Sequence, residues 1–167
     1  LIVIKALSST VLLIAVLMLT GCGGGGETSS AGGSDIAHDR TTPEGAILTL
    51  EDAYRAKDLD AALACRDFEL EAKFMLEKVG DGAFSKDEEM LKQTAEVLKL
   101  GYTAEIGNSF PDFWGVKSVF SNKQPYKGKT DVVQFTETCT SAGGSSVNTM
   151  VVAKTDDGWK VLTIPED

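Results

Sequence analysis

The sequence predicts an α+β domain, with helices first and an antiparallel sheet after them. Three observations carry this. Between Thr42 and about Glu105 apolar residues recur every three or four positions, the mark of helices with one buried face. From Val116 onward the period falls to two, and Val, Thr and aromatic residues dominate. Gly- and Asp-rich turns cut this second half into short runs, as in a meander. Helices followed by such a meander are expected to pack on one face of the sheet.

The first helix starts at Thr42-Pro43-Glu44, which combines a capping hydroxyl, a proline in the first turn and an acid at the positive helix end. Ala46, Ile47, Leu50, Ala53 and Tyr54 form its apolar stripe. Asp58-Leu59-Asp60 interrupts it, and Asp60 is placed to cap a short second helix reaching about Ala64. Asp67 caps a third, whose face is Phe68, Ala72, Met75, Leu76 and Val79, ended by Gly80-Asp81-Gly82. Ser85-Lys86-Asp87-Glu88 reads as a capping box for a fourth, carried by Leu91, Thr94, Ala95, Leu98 and Tyr102. A loop over 107–115 holds Pro111 and the aromatics Phe110, Phe113 and Trp114. Strands are expected over 116–121, 130–140, 147–155 and 159–164. The turns between them are Tyr126-Lys127-Gly128, Ala142-Gly143-Gly144-Ser145 and Asp156-Asp157-Gly158.

The chain ahead of this domain is of another kind. Residues 2–19 are nearly all apolar, with Lys5 the only charge before Glu27. The unbroken apolar run is shorter than the roughly 20 residues a bilayer span needs and fits a secretory signal. It ends in Leu19-Thr20-Gly21-Cys22, which resembles the lipobox of bacterial lipoproteins. The resemblance implies a signal peptide over 1–21, acylation of Cys22 and membrane attachment through that lipid; acyl chains contribute about 0.8 kcal/mol per buried methylene. Gly23 stands where an Asp commonly signals inner-membrane retention. The expected location is therefore the cell envelope: the outer membrane in a Gram-negative cell, the outer face of the cell membrane in a Gram-positive one. Residues 22–41 are rich in Gly, Ser and Thr and hold one large aliphatic residue, Ile36, so a flexible tether is expected there, with a reach of roughly 25 Å. Residues 42–167 suit one domain with one core.

Two segments of that domain carry a second resemblance. Ala53-Tyr54-Arg55-Ala56-Lys57-Asp58-Leu59-Asp60-Ala61-Ala62-Leu63 resembles the first-helix signature of the nuclear transport factor two-like superfamily, which includes ketosteroid isomerase-like and SnoaL-like domains. Val151-Val152-Ala153-Lys154-Thr155-Asp156-Asp157-Gly158-Trp159-Lys160-Val161 is similar to its final hairpin. The resemblance implies a cystatin-like cone: a curved antiparallel sheet wrapped by helices, often with an apolar pocket at its open end and often dimeric through the sheet.

Composition narrows the function. A formal charge of −9 argues against nucleic acid and against a polybasic grip on lipids. The sequence shows no catalytic or metal-binding signature, and no cofactor is expected. The single histidine, His38, lies in the expected tether. The isomerases of the superfamily use a carboxylate base and a Tyr-plus-acid oxyanion pair; the segment where the base would lie, 67–73, reads here as an ordinary amphipathic helix. Asp112 reads as a turn residue. Tyr54, Tyr102, Phe110, Phe113 and Trp114 are the candidate ligand-binding residues, since aromatics around a concavity supply contact area at low entropic cost. Cys65 and Cys139 allow a disulfide in an exported chain, or two separate buried thiols. The leading expectation is a non-enzymatic envelope module that binds a small apolar ligand or a protein partner. A hydrolase or isomerase using a carboxylate and Tyr in the cone is the alternative, and an assembly role through a sheet-to-sheet homodimer is a third.

Overall fold

A computed structural model describes residues 36–79 and 82–164. The signal segment, Cys22 and most of the tether lie outside the described residues. Within them the order is α1 (Pro43–Ala56), α2 (Leu59–Ala64), α3 (Phe68–Glu77), α4 (Glu88–Asn108), β1 (Lys117–Pro125), β2 (Val132–Ser141), β3 (Gly144–Thr155) and β4 (Gly158–Leu162). The domain is α+β: helices pack against a four-stranded antiparallel sheet of order β1-β2-β3-β4.

Local chemistry sets the helix starts. Thr42 Oγ1 accepts from the Gly45 N–H at 3.0 Å, and Asp67 Oδ1 from the Leu70 N–H at 2.9 Å, as their positions suggested. Two caps differ from expectation. Asp58 caps α2, accepting from the Ala61 N–H at 2.9 Å, in place of Asp60. The left-handed turn at Lys57 (φ 55°) ends α1 so abruptly that the very next residue starts the new helix. Asp87 caps α4 in place of Ser85, because Phe84–Lys86 form a 3-10 turn in which Ser85 Oγ donates to the Gly82 carbonyl. In the sheet, β1 runs on to Pro125 through an irregularity between Ser121 and Gln124, with Asn122 at φ 55°. The β2–β3 turn tightens to Ala142-Gly143, and Gly144 and Ser145 enter the strand. β4 closes at Leu162.

Side chains alternate across a strand, so the register assigns each residue a face. On one face Val133, Phe135, Val152 and Val161 pack with Ile47, Leu50 and Ala53 of α1 and with Ala62 and Cys65 of the α2 turn. Phe135 is fully buried there, worth roughly 3 kcal/mol, and meets Phe120 edge-on with centroids 5.4 Å apart. The neighbours of opposite parity, Val132, Val151, Ala153 and Leu162, form a second cluster with Phe74 of α3. Helices therefore cover both faces of the sheet, not one. The chain changes face at β4: Arg66 pairs with Val161 in a parallel bridge, and the Val161 N–H donates to the Cys65 carbonyl at 2.8 Å. α4 then lies along α3 and touches α2.

The end of the expected tether belongs to the fold. The Trp159 N–H donates to the Arg40 carbonyl at 2.8 Å, and Arg40 Nη1 donates to the Ala64 carbonyl at 2.9 Å. Gly158 is required at this contact. It sits at φ +102°, and a Cβ there would lie 2.5 Å from the Arg40 carbonyl oxygen.

Candidate functional site

A cavity of about 450 Å³ opens between α1 and the sheet. Its walls include Ile47, Leu50, Tyr54, Phe113, Met150 and Val161, and two acids, Glu51 and Glu137, face it. Both acids are buried, at 2% and 3% exposure. Glu51 shares the α1 stripe with Ile47, Leu50 and Tyr54, so the helix that buries those residues buries its carboxyl too. Glu137 sits between Phe135 and Cys139 on the inward face of β2.

Polar neighbours fix these groups. Ser118 Oγ, on β1 opposite Cys139, donates to Glu51 Oε1 at 2.5 Å. Arg55 Nη2 donates to Glu51 Oε2 at 2.6 Å, and its Nε donates to the Phe113 carbonyl at 3.1 Å, tying the aromatic loop to α1. Arg55 also pairs with Asp52, whose other oxygen lies 2.6 Å from His38 Nδ1. His38 thus ends a polar chain on the surface of the fold. Asn148 Nδ2 donates to Glu137 Oε2 over a long 3.4 Å, and Glu137 Oε1 is buried with no hydrogen-bond partner among the described residues. Burial pushes the Glu51 carboxyl up to about 7, helped by Glu137 close by; the Ser118 bond and the Arg55 charge oppose the rise without cancelling it.

The five aromatic candidates separate. Tyr54 and Phe113 line the cavity with ring centroids 5.7 Å apart. Tyr102 is joined to Tyr54 through hydroxyls 2.9 Å apart and lines an adjoining groove beneath Arg66, whose guanidinium lies 4.6 Å from its ring centre. Burial raises both phenols, so both stay protonated and can donate. Phe110 is half-buried and Trp114 is 85% exposed; neither lines the cavity. Asp112 is the turn residue expected, accepting from the Trp114 N–H at 3.0 Å.

Cys65 and Cys139 are not joined: both are buried free thiols. Cys65 packs in the cluster beneath α1, while Cys139 Sγ lies 3.6 Å from Ser118 Oγ and 3.7 Å from Asn148 Nδ2. Burial pushes each thiol up.

The acids at the centre of the site are the residues that sequence reasoning passed over. The signal was present in both: a charged residue occupying a core position of a periodic apolar pattern. Helical period places Glu51 four residues after Ile47, and strand period places Glu137 two after Phe135. Such a residue is either paired or functional, because an unpaired buried charge is costly. Comparison of the chain with protein-family models, with curated proteins and with solved structures finds no match.

Proposed function

We propose that this chain is a lipid-anchored envelope protein whose folded domain binds a small, largely apolar molecule bearing a hydrogen-bond donor. The observation that carries the reading is the cavity of about 450 Å³, whose apolar walls are interrupted by polar groups, among them Glu51, Glu137, Arg66 and Gln134; a concave site with convergent polar groups is the usual build of a small-molecule site. Tyr54, Phe113 and Met150 supply contact area, and the acids select a donor-bearing ligand. The Leu19–Cys22 lipobox supplies the address, and the cone of the nuclear transport factor two-like superfamily is the architecture this reading expects.

Native mass spectrometry of the chain purified without refolding tests it. A retained organic mass is expected, and Met150→Trp, which fills the cavity from a half-buried wall position, is expected to abolish it with little change in melting temperature. A wild-type protein that carries no adduct and takes up no apolar probe overturns the reading.

One observation favours a second reading, a hydrolase or isomerase. The Glu51 carboxyl near 7 is poised to take up and return a proton, and Tyr54 stands one turn away along the same wall. In that case the retained molecule exchanges a carbon-bound proton in deuterated water with wild type and not with Glu51→Gln.

A further inference from the structure

The two acids that line the cavity also belong to a tighter group with Cys139, a residue that neither reading uses. One carboxylate oxygen each from Glu51 and Glu137 and the sulfur of Cys139 lie within 4.8 Å of one another, and all three residues are buried. Two secondary structures converge to build the group. Positions 137 and 139 of β2 project to the same face, and Glu51 descends on them from α1.

An acidic cluster alone would mean little. Here it contains an unfilled valence: Glu137 is only 3% exposed, and its Oε1 has no hydrogen-bond partner among the described residues. Buried acceptors are satisfied in the great majority of cases, and one left bare costs about 1–3 kcal/mol or more. Charge points the same way. Among the described residues the cation in contact with the group is Arg55, on Glu51 Oε2. With all three ligands ionised, as a bound metal requires, two carboxylates and a thiolate against one guanidinium carry two negative charges, and a divalent ion brings the sum to zero.

We propose that Glu51, Glu137 and Cys139 form a binding site for a divalent transition-metal ion, with zinc the best match. The mixed oxygen and sulfur donor set suits zinc and not magnesium or calcium, which take oxygen alone. Ligand atoms around a tetrahedral zinc lie about 3.3–3.6 Å apart given its usual bond lengths, so the three atoms close by at most about 1 Å onto the ion. Zinc displaces the thiol proton of Cys139 and any proton held between the carboxyls, both released to solvent. The supporting groups are in place. Ser118 Oγ touches both Glu51 and Cys139, Asn148 Nδ2 reaches both Glu137 and Cys139, and Arg55 holds the distal oxygen of Glu51. Three protein ligands leave a fourth position, and the cavity that Glu51 and Glu137 line gives access to it.

The test uses the full chain, stripped with chelator and titrated with cobalt and with zinc. One cobalt ion per chain is expected, with a thiolate-to-cobalt charge-transfer band and the visible bands of tetrahedral cobalt. Cys139→Ser abolishes the charge-transfer band, whereas Cys22→Ser and Cys65→Ser keep it. Glu137→Gln, of equal size, weakens zinc binding by at least about tenfold in chelator competition. Zinc also raises the melting temperature of the wild-type chain, a readout that does not depend on how the variants fold. Absence of the band and of any zinc-induced shift, with the two acids merely sharing a proton, overturns the proposal; so does a band that survives Cys139→Ser. Chelation leaves a retained organic ligand in place, so the failure of this site and of the small-molecule site are separately visible.

Discussion

At the scale of single residues, the heaviest demands fall on charges that the fold has enclosed. Arg66 and Glu71 are 7% and 3% exposed at their side chains. Glu71 Oε1 accepts from Arg66 Nε at 2.9 Å, from Arg66 Nη2 at 2.6 Å and from the Thr163 N–H at 3.0 Å. One carboxylate oxygen thus joins the start of α3 to the chain leaving β4. Truncating it leaves the Arg66 guanidinium without its counter-charge, with the hydrogen bond to Thr163 Oγ1 remaining, and the Thr163 N–H without its acceptor, so Glu71→Ala is expected to cost about 3–5 kcal/mol in urea unfolding. A loss under about 1 kcal/mol would mean that water reaches Arg66. The same enclosure governs Cys65. Burial holds its thiol up, and the positive charges of Arg40 and Lys160 only partly oppose this; the protonated thiol is the unreactive form. Native chain treated with iodoacetamide at pH 8 is expected to leave Cys65 unmodified by peptide mapping, while urea exposes it fully. Rapid native labelling would show that the α2 turn opens far more readily than its burial implies.

At the scale of elements, helix boundaries follow from a few atoms, and that is where the sequence was most legible and also where it misled. Thr42 was readable as a cap because Pro43 and Glu44 directly after it mark the first turn, and Asp67 because no other capping residue stands near its helix start. Asp58 and Asp60 both qualify by type. The choice between them is made by Lys57, whose left-handed backbone no local pattern announces. Its N–H donates to the carbonyls of Ala53 and Tyr54, closing α1 in the way a glycine usually does. Lys57→Gly is therefore expected to stabilise the domain by roughly 0.5–1 kcal/mol, and Thr42→Ala to destabilise it by about 1 kcal/mol. Both shifts are readable as opposite movements of the denaturation midpoint. The strands were legible by period, but the lengthening of β1 past Asn122 arises from pairing with β2, a contact between distant segments. The site shows the same division. Tyr54 and Phe113 were identifiable by type, whereas Glu51 and Glu137 acquire their meaning when α1 is laid on β2 and Ser118 arrives from β1. Their burial was implicit in the periodicity; their juxtaposition was not.

At the scale of the folded domain, the question is what the uncovered part of the sheet does. α1 and α2 close one face, and α3 covers the beginning of β2, the end of β3 and β4 on the other. The remaining half of that second face carries Val119, Thr138 and Val147 in a row across three strands, with Val119 and Val147 63% and 68% exposed. A sheet-to-sheet homodimer would have to form here. Yet the row is flanked by Ser121, Thr136, Ser145 and Thr149, side chains with little apolar area to remove from water. A stable interface needs about 800 Å² from each partner with an apolar centre, and two valines and some threonine methyls fall well short of that centre. The net charge of −9 adds repulsion between copies. The chain without its lipid is therefore expected to run as a monomer in light scattering at micromolar concentration and physiological salt, and Val147→Lys is expected to leave that mass unchanged and to shift stability by no more than about 0.5 kcal/mol. A dimer that Val147→Lys dissociates would show instead that the open half-face is an interface. The shallow valine row would then be the centre of an assembly surface, and the cavity would sit behind it as part of the core.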